Sequence, residues 1–228
     1  MSWAVIVGVG PGLGAALGRR FAREGLRVLL AARTPAKLEP IVREIGDAAR
    51  AQACDATDEA QVKALFAGLD APPDIVVFNA SGRVRKPLLE IETGEFEQAW
   101  RNACLGGFLV GREAARAMLP RGRGSILFTG ATASIKAYAG SAGFAVGKFG
   151  LRALAQSMAR EFGPKGLHVA HVVVDGGIRG PHHAPDAGRP ADHLLEPDAI
   201  AEAYWGLHAQ HRSAWTQELD VRPWVESF

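Results

Sequence analysis

Val5-Ile6-Val7-Gly8-Val9-Gly10-Pro11-Gly12-Leu13-Gly14 runs from an apolar stretch into a cluster of glycines. Behind it Leu17, Phe21 and Leu26 recur among Arg19, Arg20, Arg23 and Glu24, the spacing of an amphipathic helix. The order is therefore strand, tight turn, helix. Gly8, Gly12 and Gly14 follow a G-x-x-x-G-x-G spacing, with Gly10 and Leu13 completing the loop. Each missing side chain has a use: one lets the chain turn, one lets the backbone approach a pyrophosphate, and one lets the helix pack on the strand. The start of the helix then offers free N–H groups to an anion. A plain strand-to-helix turn would need none of this, and the apolar strand before the glycines and the helix pattern after them favour a phosphate cradle.

The same alternation continues along the chain. Arg27–Ala32, Ala49–Ala53, Ile75–Phe78, Ser125–Phe128 and His168–Val174 read as further strands. Helical spacing covers Pro35–Ile45, a segment capped by Asp58, a long region from Thr93 to Met118, Ala142–Phe162 and a segment after Pro197. Regular β-α alternation predicts an α/β fold: a single doubly wound parallel sheet of the Rossmann type, with helices on both faces and strand order 3-2-1-4-5-6-7. Ligands then lie at the carboxyl ends of the strands. Residues 1–228 read as one domain, and the Pro- and His-rich segment of about 180–197 reads as a flap over the ligand crevice.

Composition narrows the function. The chain has 228 residues with 48% hydrophobic and 22% charged, and a net charge of +2. That balance supports neither nucleic acid nor a polybasic membrane surface as a partner. The two cysteines, Cys54 and Cys104, fit no metal motif, so no metal is expected, and free thiols suit a reducing compartment. No basic leader with a cleavage site opens the sequence and no apolar run is long enough to cross a bilayer, so the expected location is the cytoplasm.

The end of the second strand meets the adenosine ribose in such a fold. Ala31-Ala32-Arg33 carries no acid there, and Arg33 would pair with a 2′-phosphate, which favours NADP(H) over NAD(H). A solvated Arg33 opening a loop is the plainer alternative. Asp55, followed by Ala56 after the third strand, would bond the adenine amino group or cap a turn.

At this point the sequence resembles the short-chain dehydrogenases/reductases over essentially its whole length. Gly8, Gly12 and Gly14 look like that family's cofactor glycines, and Asn79-Ala80-Ser81-Gly82 resembles its N-N-A-G element. Asn102 is similar to the helix asparagine that holds a water in the family's proton relay, and Lys148 resembles the lysine of its Y-x-x-x-K motif. Val174-Asp175-Gly176-Gly177-Ile178 resembles the segment that touches the nicotinamide carboxamide, with Gly177 and Ile178 expected at the cofactor. The resemblance also implies a homodimer or homotetramer, built on the long helices.

The departure lies in the chemistry. Four residues before Lys148, where the family has tyrosine, stands Phe144; thirteen residues before that, where it has serine, stands Ala131. Phenylalanine has no O–H to give, and positioned acid–base catalysis contributes typically about 10²–10⁴-fold. Substitutes open in the sequence are Tyr138, Ser141, Thr132, the flap histidines His182 and His183, and Lys148 acting through a water held by Asn102. Two functions follow: an oxidoreductase for a small carbonyl/alcohol pair with an altered proton relay, or a cofactor-binding sensor or partner subunit without turnover.

Overall fold

The computed structural model describes residues 2–181 and 183–226. Its sheet has seven strands in the order β3-β2-β1-β4-β5-β6-β7, every neighbouring pair parallel. The strands are β1 (Trp3–Val7), β2 (Arg27–Ala32), β3 (Ala49–Ala53), β4 (Pro73–Phe78), β5 (Gly124–Thr129), β6 (Leu167–Val174) and β7 (Glu218–Val221). The helices are α1 (Leu13–Arg23), α2 (Glu39–Ile45), α3 (Glu59–Ala67), α4 (Thr93–Trp100), α5 (Gly106–Met118), α6 (Ala142–Phe162) and α7 (Pro197–His208).

Alternation along the strands makes two cores. From β1, Ala4 and Ile6 face one side with Val28, Leu30 and Val77, where Leu17, Phe21 and Tyr204 of α1 and α7 cover them. Trp3, Val5 and Val7 face the other side with Val76, Phe78 and Phe128, beneath Val110, Met118 and Leu151 of α5 and α6. Successive strand residues point to opposite faces, so a strand buried on both sides must be apolar throughout, as β1 is.

The expected strand order holds, and α6 spans the expected residues. Local details differ. Pro35–Leu38 forms a 3₁₀ turn before α2, and β4 begins at Pro73, which ends the preceding loop by entering the sheet. The helical region from Thr93 to Met118 is interrupted by a wide π-helical turn at Arg101–Leu105, which contains Asn102. Asp58 caps α3 as expected, accepting from the N–H groups of Ala60 and Gln61. Among the described residues no helix is long and apolar enough to cross a membrane.

The β1–α1 turn is set by two glycines. Gly8 has φ +89°, and a Cβ there would lie 2.4 Å from the Ala80 nitrogen. A Cβ on Gly14 would lie 2.8 Å from the Val9 Cα, so α1 closes against the turn at Val9 only because that atom is absent. Gly10 faces open space. Gly8→Ala therefore costs about 2 kcal/mol or more, from left-handed strain plus backbone collision, whereas Gly10→Ala changes stability by less than about 1 kcal/mol. Urea denaturation of the two variants checks the contrast; equal losses would show that the turn is not held by this contact.

Candidate functional site

Two adjoining cavities open at the carboxyl ends of the strands, where β1 and β4 part. Both are lined by Gly8, Gly10, Pro11, Asn79 and Ser81. The loop between them is tied to three strands: the Gly8 N–H donates to the Ala31 carbonyl at 2.9 Å, the Asn79 N–H to the Val7 carbonyl at 2.8 Å, and Asn79 Nδ2 to the Gly8 carbonyl at 3.0 Å. The start of α1 carries neither a side-chain cap nor an acidic residue in its first turn, and Gly12 faces open space. The backbone there is left free to meet an anion.

The first cavity, of about 360 Å³, runs along the ends of β2 and β3 past Arg33, Thr34, Lys37, Asp55, Ala56 and Thr57. Arg33 and Lys37 are exposed on its rim. Asp55 accepts from both the N–H and the hydroxyl of Thr57 through one oxygen, each at 2.8 Å, so turn capping is one role it performs. Cys54 beneath it is buried, and burial beside Asp55 pushes its thiol up to about 11.

The second cavity, of about 510 Å³, is walled by Leu13, Gly14, Thr129, Ala131, Phe144 and Lys148, and on its outer side by Arg83, Ile178, Arg179 and His183. Lys148 is 2% exposed, and its Nζ donates to the Thr129 carbonyl at 2.7 Å. Among the described residues no carboxylate pairs with it, and burial pulls it down from the ordinary 10.5 to about 8. Behind it lies His171, fully buried and held neutral by its burial. Nearby Arg152 is neutralised by a two-bond pair with Glu218, both contacts at 2.7 Å.

A family model described as short chain dehydrogenase matches residues 2–184. The chain belongs to the short chain dehydrogenase family. The crystal structure of a short-chain dehydrogenase from Rhodopseudomonas palustris is 41% identical, with a TM-score of 0.86 over 98% of this chain and 99% of that one. A metagenomic short-chain oxidoreductase solved in complex with NADP is 29% identical, with a TM-score of 0.84 over 99% and 98% of the two chains. A short chain aldehyde dehydrogenase from Euphorbia lathyris is 31% identical over 173 residues, which are 73% of this chain and 60% of that protein. The next three curated relatives are matched over 63–65% of their lengths, so this chain aligns with somewhat under two thirds of each.

In this short chain dehydrogenase the glycine loop, Arg33, Asp55, Ala56, Asn79, Ala80 and Ser81 come together around the first cavity, and Ala131, Phe144 and Lys148 around the second. Ile178 joins the wall of the second, but its neighbour there is Gly176; Gly177 instead turns its carbonyl to the Leu195 N–H. Asn102 lines the first cavity, not the one holding Lys148, and its Oδ1 accepts from Gln98.

Three of the candidate hydroxyls, those of Tyr138, Ser141 and Thr132, lie away from the second cavity. Tyr138 is 58% exposed and lines a separate depression beside Lys86 and Pro87. The Ser141 hydroxyl is consumed at the start of α6, donating to the Tyr138 carbonyl at 2.7 Å and accepting from its N–H at 2.8 Å. The Thr132 hydroxyl donates to the buried Asp175 carboxylate and turns toward the same separate depression. His182 lies outside the described residues. His183 is the flap histidine that borders the second cavity. The flap itself is pinned at both ends, the Arg179 N–H donating to the Leu195 carbonyl at 2.9 Å and the Leu195 N–H to the Gly177 carbonyl at 2.9 Å. Sequence reading passed over Lys37, one helical turn beyond Arg33, and Arg83, directly after Asn79–Gly82; both were legible only as charges near a motif.

Buried Lys148 makes stability depend on pH in a definite sense. Between about 8 and 10.5 the unfolded chain keeps the lysine proton while the folded chain has lost it, so stability rises with pH across that window. The gain amounts to at most roughly 3 kcal/mol. Lys148→Met removes it, and the difference between wild-type and variant unfolding free energies should shrink as pH is raised from 8 to 10.5. A constant difference across that range would show that Lys148 titrates normally.

Proposed function

We propose that the chain is an NADP(H)-dependent oxidoreductase that interconverts a small carbonyl compound and its alcohol, with Lys148 as the proton donor. The observation that carries this reading is the buried, unneutralised Lys148 ammonium on the wall of the cavity that the glycine turn also lines. The residues fit a dinucleotide: Gly10 and Gly12 leave open space before an uncapped helix start, and Arg33 and Lys37 offer positive charge to a 2′-phosphate. A 29%-identical relative was solved with NADP, which supports the same choice. When bound, the nicotinamide supplies or accepts the hydride.

Reduction of a carbonyl then requires one proton at the oxygen. Phe144 presents only a ring at the position where the family resemblance implies a tyrosine. Lys148 holds its ammonium by one bond to Thr129, which leaves two N–H groups, and burial lowers its pKa so that the proton is given up more readily. His183 borders the same cavity and is the rival donor. The reading as a sensor without turnover has less support, because a lysine buried without a partner is costly to keep where no chemistry uses it.

With a panel of aldehydes and ketones, NADPH is consumed in preference to NADH, and Arg33→Ala weakens NADPH binding about ten-fold or more while leaving NADH binding nearly unchanged. The rate of reduction falls as pH rises through about 8, and Lys148→Met removes turnover while NADPH remains bound. Loss of turnover in His183→Ala with Lys148→Met still active would transfer the donor role to the histidine. NADPH that binds without consuming any member of the panel would favour the sensor.

We further propose a homo-oligomer built on α4, α5 and α6. Phe96, Trp100, Phe108, Val146 and Phe149 leave these helices 36–44% exposed, an apolar group that a second copy would cover. Light scattering at micromolar concentration should give at least twice the chain mass, and Phe149→Glu should reduce it; a monomeric mass for the wild type would refute this assembly.

A further inference from the structure

The outer wall of the second cavity carries charge of one sign only. Its ionisable groups are Arg83, Lys148, Arg179 and His183, with no aspartate or glutamate among them. Of these cations, Arg179 is ion-paired and Lys148 is hydrogen-bonded without a counter-charge. Arg179 Nε meets Glu196 at 2.6 Å, and Lys148 is turned to the Thr129 carbonyl. Arg83 is different. Among the described residues it has no ion pair; its guanidinium lies 6.0 Å over the ring of Phe144. A guanidinium lying over an aromatic face is held in orientation by the ring while its N–H edge stays available. Partial desolvation lowers the Arg83 pKa, and Arg85, two residues on, adds positive potential that lowers it further.

We propose that the substrate is an oxo acid, or the corresponding hydroxy acid, and that Arg83 selects it by pairing with its carboxylate. The assignment rests on the reductase reading above and specifies its substrate class. A guanidinium presents two parallel N–H groups that match the two oxygens of a carboxylate. Arg83 is exposed and lines the cavity, so an incoming anion can reach it, whereas a neutral ketone offers it no charge to pair. Phe144 has two consequences here: its ring supports the guanidinium, and it helps hold the anchoring cation at the cavity that Lys148 also lines.

The test uses the full chain saturated with NADP⁺, which cannot reduce a carbonyl, so binding is read apart from turnover. Isothermal titration with the three oxopentanoate isomers and with their methyl esters varies the spacing of carbonyl and carboxylate at constant size. At least one acid is expected to bind about ten-fold or more tighter than its ester. Arg83→Leu should abolish that preference without changing the affinity for NADP⁺, Arg83→Lys should restore part of it, and Arg85→Leu should leave it in place. Acids and esters binding alike, or failing to bind at all, would overturn the assignment. So would a preference that survives Arg83→Leu, one lost equally in Arg85→Leu, a phosphate monoester of similar size binding more tightly than every acid, or a loss of NADP⁺ affinity in Arg83→Leu, which would make Arg83 a cofactor ligand. Failure of the wild type to bind NADP⁺ would be a separate result, removing the cofactor reading and this assignment with it.

Discussion

The carboxyl edge of the sheet depends on one close approach between backbones. Gly8 and Ala80 follow adjacent parallel strands, and their loops must leave the sheet in different directions from nearly the same place. They do so with the position of the absent Gly8 side chain only 2.4 Å from the Ala80 nitrogen. Asn79 fastens this contact by bonding the Gly8 carbonyl, while the Gly8 N–H is held by β2. Strands β1, β2 and β4 are thereby locked together at the point where the two cavities meet. A side chain at Gly8 would not simply add bulk; it would change the angle between the loops and with it the shape of both cavities. The other elements of the site are mounted on this joint: Arg33 and Lys37 on one side, Arg83, Phe144 and Lys148 on the other.

Lys148 imposes the opposite kind of constraint. Its ammonium is taken from water and compensated by a single carbonyl, which disfavours the charged form. The surroundings limit the repulsion without supplying a counter-charge. His171 is kept neutral by burial, and the charge of Arg152 is absorbed by Glu218. A fold selected only for stability would place an apolar side chain there, because replacing an uncompensated buried charge removes a cost. Under our proposal the arrangement holds a proton in readiness at some expense to the fold.

Most of the frame was legible because its signals are local and repetitive. The bounds of α6, the strand order and the Asp58 cap follow from periodicity and from well-placed stop and start residues. The π-helical turn around Asn102 was not legible, since one extra residue in a helical turn leaves the apolar pattern nearly intact on both sides. The site was less readable for a different reason. Hydroxyls such as those of Ser141 and Thr132 look free in a sequence, and only the folded loop shows that a neighbouring carbonyl and the buried Asp175 have claimed them. Conversely, Arg83 and Lys37 look like ordinary surface charges until the loops bring them to a cavity wall without opposing acids on Arg83's side.

The same reasoning bears on why Phe144 need not mean a disabled site. A tyrosine combines three properties at one position: an aromatic wall, a hydrogen bond to the carbonyl oxygen and a source of a proton. Phe144 retains the wall, 8% exposed among Ala131, Ala133 and Ala145. Under our proposal the other two functions pass to Lys148, and Arg83 adds an anchor. Lys148 reaches the same cavity with a proton made easier to release by burial, and Arg83 lies over the ring with a charge that fixes the substrate at its other end. This division has a chemical consequence. A guanidinium is too weak an acid to deliver the proton, and a buried ammonium is too confined to search for the substrate, so each group suits only one of the two tasks. A substrate lacking the carboxylate would lose its orientation relative to Lys148 as well as its affinity. Discrimination should therefore appear in the rate of the chemical step as much as in binding.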